Sequence, residues 1–205
     1  MGSVLGKISE ELPRHEVLAK TAAYEIRRYA PCVVAETTYV SRDGMFSGDQ
    51  GGSFMKLAKY IGVMAKPQNA EAAPIAMTSP VLMERAPGGG GGSGGGGGSG
   101  DGDHGFKMCF FLPASRFRKA ADAPTPTSPE VAIRDVPARV MAAKTFSGNL
   151  CQSLIAEKDA ELRGELSRDG VKPAPGATAS AAGYNPPWTP WFLKTNEVML
   201  EVQGY

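Results

Sequence analysis

The sequence contains an internal repeat, and this repeat limits the possible folds more than any other feature. Residues 26–38 align without gaps with residues 133–145, and Ile, Arg, Val, Ala and Thr recur at matching positions. Each copy leads into a helix-like segment, then a proline beside apolar residues, and then a strand-like run. A period of about 107 residues that occurs only twice is too long for a solenoid. It predicts two similar halves around a pseudo-two-fold axis, with a groove for a ligand where the halves meet.

The length and composition fit a single domain that spans residues 1–205. A chain of 205 residues with 42% apolar residues can bury one core. The halves are expected at about residues 24–112 and 131–202. Residues 88–105 hold half of the chain's 26 glycines and offer almost no apolar side chain for packing, so a disordered insertion is predicted there.

Charge and cysteine usage exclude several classes of protein. A formal net charge of +1 with scattered Lys and Arg does not favour binding to nucleic acid or an acidic membrane. Cys32, Cys109 and Cys151 are odd in number and far apart, which argues against a disulfide framework and a zinc ribbon. They are expected to be reduced core residues. With no apolar run of about 20 residues and no secretion signal, the chain is predicted to be a cytoplasmic monomer, and association with a plastid structure stays open.

One helix in the first half carries a single apolar face. Ser53 is a suitable N-cap, and Gly62 is placed to end the helix in the left-handed conformation. The spacing i, i+3, i+4 and i+7 puts the following residues on one face: Phe54, Leu57, Ala58 and Ile61. Such a face packs against the core in most proteins, but it can also line a ligand groove.

Several ordered motifs resemble the SOUL haem-binding protein family. The clearest are residues 184–189 (YNPPWT) and 195–199 (TNEVM). Further matching stretches lie at residues 24–27, 58–62, 75–81 and 146–148, and the opening residues 6–8 are similar to the plant and algal branch. The resemblance covers nearly the whole chain except residues 88–105.

The resemblance implies both a fold and a function. The fold is α+β: a distorted antiparallel β-barrel flanked by two helices and built from two βαββ halves. The function is non-covalent, reversible binding of haem or other tetrapyrroles in a shallow apolar groove, for buffering, transport or signalling. In the family this groove lies between the first long helix and the segment before the last strand.

The resemblance also implies the residues of the site. Apolar and aromatic side chains would cover the ring, and a cation would pair with its carboxylates. The implied ligand-binding set is Phe54, Leu57, Ala58, Lys59, Ile61, Tyr184, Trp188 and Trp191. Leu57 and Ile61 are expected mainly to pack, and the tryptophans could instead close one end of the barrel.

Neither a metal site nor a catalytic site is predicted. The only histidines are His15, in the N-terminal arm, and His104, after the glycine-rich stretch. Neither lies on the helix expected to line the groove, so a coordinating histidine is not expected; Met55 and Met77 are conceivable soft ligands, although methionine more often fills a core. The familiar hydrolase and metalloprotease motifs are absent from the sequence. Two alternatives remain: a protein-interaction scaffold that uses Trp188 and Trp191, and a general binder or weak hydrolase of hydrophobic small molecules.

Overall fold

The computed structural model describes residues 8–63, 65–86 and 104–205 of the chain. These residues form two α-helices, α1 (Gln50–Ile61) and α2 (Gln152–Arg168). The ten strands are β1 (His15–Lys20), β2 (Glu25–Tyr29), β3 (Cys32–Ser41), β4 (Val81–Arg85), β5 (His104–Phe111), β6 (Ala132–Val136), β7 (Arg139–Phe146), β8 (Lys172–Pro173), β9 (Ser180–Gly183) and β10 (Asn196–Gln203). Neither helix in this described part is long and apolar enough to cross a bilayer.

All ten strands belong to one curled sheet in which every pairing is antiparallel. The strand order is β1-β2-β7-β10-β9-β4-β5-β3-β6, and β8 pairs with β10 beside this path. Helix α1 lies on β3 and β5, and helix α2 lies on β10 and β8. The prediction of an α+β fold, a distorted antiparallel barrel flanked by two helices, is therefore confirmed.

The sequence repeat reappears as a repeated pattern of strand pairing. The first copy spans β2 and β3, and the second spans β6 and β7. In the pairing of β2 with β7, Ile26 lies opposite Ala142; in the pairing of β3 with β6, Ala35 lies opposite Ile133. These positions correspond one to one in the aligned copies, so both pairings have the same register. The two-fold axis between the halves stays a prediction.

Alternation of side chains divides the sheet into an outer and an inner face. The outer face packs against the helices, where Leu57, Ala58 and Ile61 of α1 are buried together with Leu162 and Leu166 of α2. A smaller apolar cluster lies on the inner face of the curl: Val34, Leu82, Cys109, Phe111, Met141, Ala143, Ala182 and Met199. The outer cluster is the main core, and the inner one fills the barrel.

Helix α1 begins earlier than the sequence predicts. Its N-cap is Asp49, whose Oδ1 accepts a hydrogen bond of 2.9 Å from the backbone N–H of Gly52. Ser53, the predicted cap, lies one turn inside the helix and is fully buried. An ionised carboxylate at the positive end of the helix outcompetes a hydroxyl further along. The predicted end is confirmed, because Gly62 caps the helix with a φ of +82°.

The connection between β4 and β5 lies mostly outside the described residues. The predicted insertion includes His104 and Gly105, but these two residues form the start of β5. Pro80 precedes the first residue of β4, which pairs with both β5 and β9 and is not an edge strand. A proline at that position removes no ladder hydrogen bond, so it is tolerated.

The three cysteines are free thiols in different environments. Cys109 is buried and Cys32 is half-buried, so that burial raises the pKa of the Cys32 thiol. Cys151 is exposed at the N-cap of α2, which contradicts its assignment to the core. A hydrogen bond from the Ser153 hydroxyl and backbone N–H groups of the first turn lower the pKa of the Cys151 thiol.

Candidate functional site

Residues 184–195, called here the aromatic segment, connect β9 to β10 and expose a cluster of large apolar side chains. Trp188 is 75% exposed, Trp191 is 62% exposed and Phe192 is 59% exposed. The rings of Trp191 and Phe192 meet edge to face with their centroids 5.7 Å apart. Tryptophan is usually among the well-buried residues, so an exposed group of this kind is a candidate binding surface.

Hydrogen bonds hold the aromatic segment in place. The backbone N–H of Gly148 donates to the carbonyl of Trp191 over 3.0 Å. The Lys194 ammonium donates to Oδ1 of Asn149 over 2.9 Å. Both partners lie in the connection between β7 and α2. The exposed rings are therefore carried by a fixed backbone, which lowers the entropy lost when a ligand binds.

Three of the predicted helix residues lie inside the core. Leu57 and Ala58 are fully buried, and Ile61 is 2% exposed, because α1 lies flat on the outer face of the sheet. Phe54 is half-buried and contacts Phe110 of β5 edge to face, with ring centroids 5.2 Å apart. Phe54 alone of these four retains substantial surface.

The candidate cations near α1 differ in their partners. The Lys56 ammonium forms an ion pair of 2.6 Å with Glu130 in the connector between the halves. Lys59 is half-buried in the last turn of the helix. Lys56 is thus occupied by a partner within the chain, and Lys59 stays the predicted candidate on α1 for pairing with a ligand carboxylate.

The amino end of α2 contacts the loop that precedes α1 and also the aromatic segment. The backbone N–H of Met45, in the loop that precedes α1, donates to Oε1 of Gln152 over 2.9 Å. Asn149, just before the same helix, accepts the hydrogen bond from Lys194 of the aromatic segment. The loop leading into α1 and the aromatic segment are thus both hydrogen-bonded to residues at the amino end of α2.

Tyr184 turns inward from the start of the aromatic segment into a buried network. Its hydroxyl donates a hydrogen bond of 2.5 Å to Oε2 of Glu197, whose carboxylate also pairs with Arg27 over 2.9 Å. The Thr145 hydroxyl also donates a hydrogen bond, of 3.0 Å, to the same carboxylate. Burial and the neighbouring Glu197 raise the pKa of Tyr184. Burial alone lowers the pKa of Arg27. The hydrogen bond to Glu197 and the negative charge of that residue outweigh this effect and raise the pKa of Arg27.

Sequence reasoning did not identify Glu197 as a buried partner. Glu197 is 3% exposed and stands in β10 among apolar residues. A carboxylate that is buried on the inward face of a strand must be paired with a partner. The position of Glu197 among the apolar residues of its strand was therefore the sequence signal for a buried ion pair. The partner, Arg27, lies far away in sequence and meets Glu197 only because β2 and β10 both pair with β7.

A cavity, called here the hairpin cavity, lies where the two halves meet. The turn between β2 and β3 and the turn between β6 and β7 both contribute to its wall, at Ala30 and Pro137. His15, Tyr29, Cys32, Arg139 and Tyr184 also line it. A groove between the halves was predicted from the repeat. Its enclosed volume is only about 30 Å³, roughly the share of one water molecule in the liquid.

Comparisons with known proteins agree with this architecture. The C-terminal domain of EcmrR superposes with a TM-score of 0.57 and 11% identity, covering 89% of this chain and 99% of that chain. A hydrolase encoded by lin2189 from Listeria innocua superposes with a TM-score of 0.55 and 11% identity, covering 91% of this chain and 94% of that one. At such identity these structures share the fold alone.

The comparison of sequences identifies the family, whereas the comparison of structures identifies only the fold. No curated protein matches the chain. The pattern that describes the SOUL heme-binding protein family, however, matches residues 10–201, from the N-terminal arm to β10. This match includes the aromatic segment, the inward Tyr184 and both helices. The chain belongs to the SOUL heme-binding protein family.

Proposed function

We propose that this chain binds haem and related tetrapyrroles reversibly and without a covalent bond, on a surface formed by the aromatic segment. The observation that carries the proposal is the exposure of Trp188, Trp191 and Phe192 on a fixed backbone. Burying these rings against a flat apolar ligand removes their surface from water, which favours binding. Family membership supports haem as the ligand.

The residues of this surface fit the chemistry of a tetrapyrrole. A tetrapyrrole offers two apolar ring faces and carboxylates at its rim. Trp188 and Trp191 suit the faces, and the ammonium of Lys194, which belongs to the same segment and is hydrogen-bonded to Asn149, suits a carboxylate. Lys194 therefore joins Lys59 as a candidate partner for the propionates.

The predicted helix residues take unequal parts in the proposed site. Phe54 keeps enough surface to touch a ligand, whereas Leu57, Ala58 and Ile61 act through the position they give to α1. Because the loop before α1 and the aromatic segment both meet the amino end of α2, a ligand on the tryptophans would lie close to the start of α1. The proposed site therefore still includes the groove between α1 and the aromatic segment, at the end where α1 begins.

We infer a carrier role and no catalysis. An open surface suits exchange of a ligand better than retention, as buffering, transport or signalling would require. The hairpin cavity, at about 30 Å³, is far below the roughly 300–1,000 Å³ of ordinary small-molecule sites. It does not favour the alternative of a general hydrophobic binder or hydrolase working inside the barrel. A monomeric state and a cytoplasmic location accompany this role as proposals.

The two tryptophans provide a direct test, because they are the only ones in the chain. Titration with metal-free protoporphyrin is expected to quench most of the tryptophan emission in a saturable manner. A ligand bound at a distant surface would leave much of the emission unchanged, and that outcome would contradict the proposed site. An unrelated protein with exposed tryptophans serves as the control for non-specific quenching.

The same exposed rings also favour a second candidate, docking of a partner protein. Aromatic residues dominate the energetic centres of protein interfaces. The two functions differ in the titration: a scaffold shows no saturable quenching by protoporphyrin at micromolar concentration. Quenching that saturates with one ligand per chain supports the tetrapyrrole carrier.

A further inference from the structure

Residues 187–193, called here the apolar tip, reverse the usual arrangement of side chains in a surface loop. Six of these seven residues are exposed, and all six are apolar: Pro187, Trp188, Pro190, Trp191, Phe192 and Leu193. Thr189, the one polar residue of the tip, is buried at 6% exposure. A loop that faces water usually places polar side chains outward. The tip therefore suits contact with an apolar environment.

The backbone of the apolar tip has few free hydrogen-bond donors. Pro187 and Pro190 have no N–H group. The N–H of Thr189 donates to the carbonyl of Pro186 over 3.1 Å, and the N–H of Leu193 donates to the carbonyl of Pro190 over 2.9 Å. Two prolines and two internal donors leave four of the seven residues without a free N–H. The acyl region of a bilayer offers no acceptor, so this backbone suits a lipid surface better than most loops do.

The charges around the apolar tip also fit a lipid surface. Lys194 is the only charged residue in the aromatic segment, and residues 147–151, which are hydrogen-bonded to that segment, contain none. The Lys194 ammonium donates to the neutral amide of Asn149, so this contact leaves its positive charge uncancelled. Lipid phosphates are anionic. Neither stretch carries a carboxylate that would repel them.

The side chains of the tip match the boundary between lipid headgroups and acyl chains. Tryptophan is enriched at this boundary, because its ring is apolar and its indole N–H can reach polar groups. Phe192 and Leu193 have no polar side-chain group and suit the acyl chains beneath. The net charge of +1 attracts an acidic membrane only weakly, so apolar contact would provide most of the affinity.

We propose that the apolar tip docks this chain reversibly on a lipid surface, with Trp188, Trp191 and Phe192 in the interface and Lys194 beside the lipid phosphates. A few interfacial side chains give weak binding, from which the chain can dissociate. The inference goes beyond tetrapyrrole binding and does not rest on it, because docking requires no tetrapyrrole.

The test uses vesicles of phosphatidylcholine alone and vesicles of phosphatidylcholine mixed with phosphatidylglycerol, with no tetrapyrrole added. The wild type is expected to float with both kinds of vesicle in a density gradient. Its tryptophan emission should shift to shorter wavelength, because both tryptophans of the chain lie in the tip. Lipids brominated on their acyl chains should quench that emission.

Phe192→Asp keeps both tryptophans and places a carboxylate in the tip. It is expected to weaken vesicle binding by at least about tenfold, because a charged side chain resists transfer into lipid. The matched control is Val63→Asp, which places the same charge at an exposed apolar residue beyond the end of α1 and should bind as the wild type does. Circular dichroism should show the same fold in both variants.

Lys194→Ala tests the contribution of the cation. It is expected to lower binding to the mixed vesicles by about fivefold, the usual effect of one lysine at an anionic surface. Binding to phosphatidylcholine alone should change little, because apolar contact dominates there.

Each outcome separates docking from tetrapyrrole binding. A wild type that floats with neither kind of vesicle overturns the inference, while saturable binding of protoporphyrin without vesicles would still stand. Equal losses in Phe192→Asp and Val63→Asp also overturn it, because the chain would then adsorb without using the tip. Flotation of a wild type that binds no protoporphyrin supports docking and overturns the carrier function.

Discussion

The double variant Trp188→Ala with Trp191→Ala is expected to lose most of its affinity for protoporphyrin. Each aromatic contact contributes about 0.5–1.5 kcal/mol beyond the surface that it buries. Removing both is therefore expected to cost about 1–3 kcal/mol, or about five- to 150-fold in the dissociation constant. The measurement is an absorption titration, because this variant has no tryptophan emission left to follow.

A matched control for this variant is Tyr205→Ala. Tyr205 is also an exposed aromatic residue, at 49%, but it lies after β10 and away from the aromatic segment. Its removal is expected to leave the protoporphyrin affinity unchanged. Stability should also be unchanged in both variants, since exposed side chains contribute little to folding. Equal losses of affinity in the two variants would mean that binding is non-specific adsorption to aromatic surface.

Glu197→Ala is expected to lower the free energy of unfolding by about 3–5 kcal/mol, the usual result of removing one partner of a buried ion pair. The substitution leaves the buried Arg27 guanidinium without its inner partner, although Glu25 still pairs with it over 2.8 Å. It also leaves the hydroxyls of Tyr184 and Thr145 without their acceptor. Because Glu25 compensates in part, the lower end of the range is expected, measured by urea denaturation.

Glu201→Ala is the control for this prediction. Glu201 belongs to the same strand and points to the same face, but it is exposed. Its replacement is expected to change the free energy of unfolding by no more than about 0.5 kcal/mol. A loss in Glu197→Ala as small as that would show that the network contributes little to the barrel. The buried position of Glu197 would then have to be explained by a role other than stability.

The repeat predicted two similar halves, and the resemblance to the SOUL haem-binding protein family implied the distorted antiparallel barrel with its two helices. In the structure the two copies of the repeat pair with each other, β2 with β7 and β3 with β6, in the same register. The helical spacing of Leu57, Ala58 and Ile61 predicts one shared face, and the structure turns that face to the core. Gly62 was recognisable as the helix end because few other residues adopt a positive φ without strain.

Two local predictions, the N-cap of α1 and the burial of Cys151, were wrong because the position of a residue at an element boundary outweighed its average preference. Asp49 and Ser53 are both suitable N-caps by composition, and only the geometry of the preceding turn decides between them. Cys151 was assigned to the core as an apolar residue, but it occupies the N-cap of α2 and faces solvent. Composition describes what a residue prefers on average, and its position at an element boundary can override that preference.

Long-range contacts were beyond the reach of sequence reasoning. The pairing of Glu197 with Arg27 and the position of His15 at the hairpin cavity both depend on how the curled sheet brings distant strands together. The exposed tryptophans were anticipated as either a plug or a binding surface, and only their exposure in the structure favours the second interpretation. Sequence therefore identified the aromatic segment but not the groups that surround it.

The central claim is that this chain binds tetrapyrroles on the aromatic segment. It is tested most directly by following tryptophan emission and visible absorption together while protoporphyrin is added to the wild type. The account predicts that both signals saturate at the same ligand concentration, with one ligand per chain and most of the emission quenched. Saturable absorption with the emission unchanged would place the ligand elsewhere, and no saturation in either signal would contradict the claim.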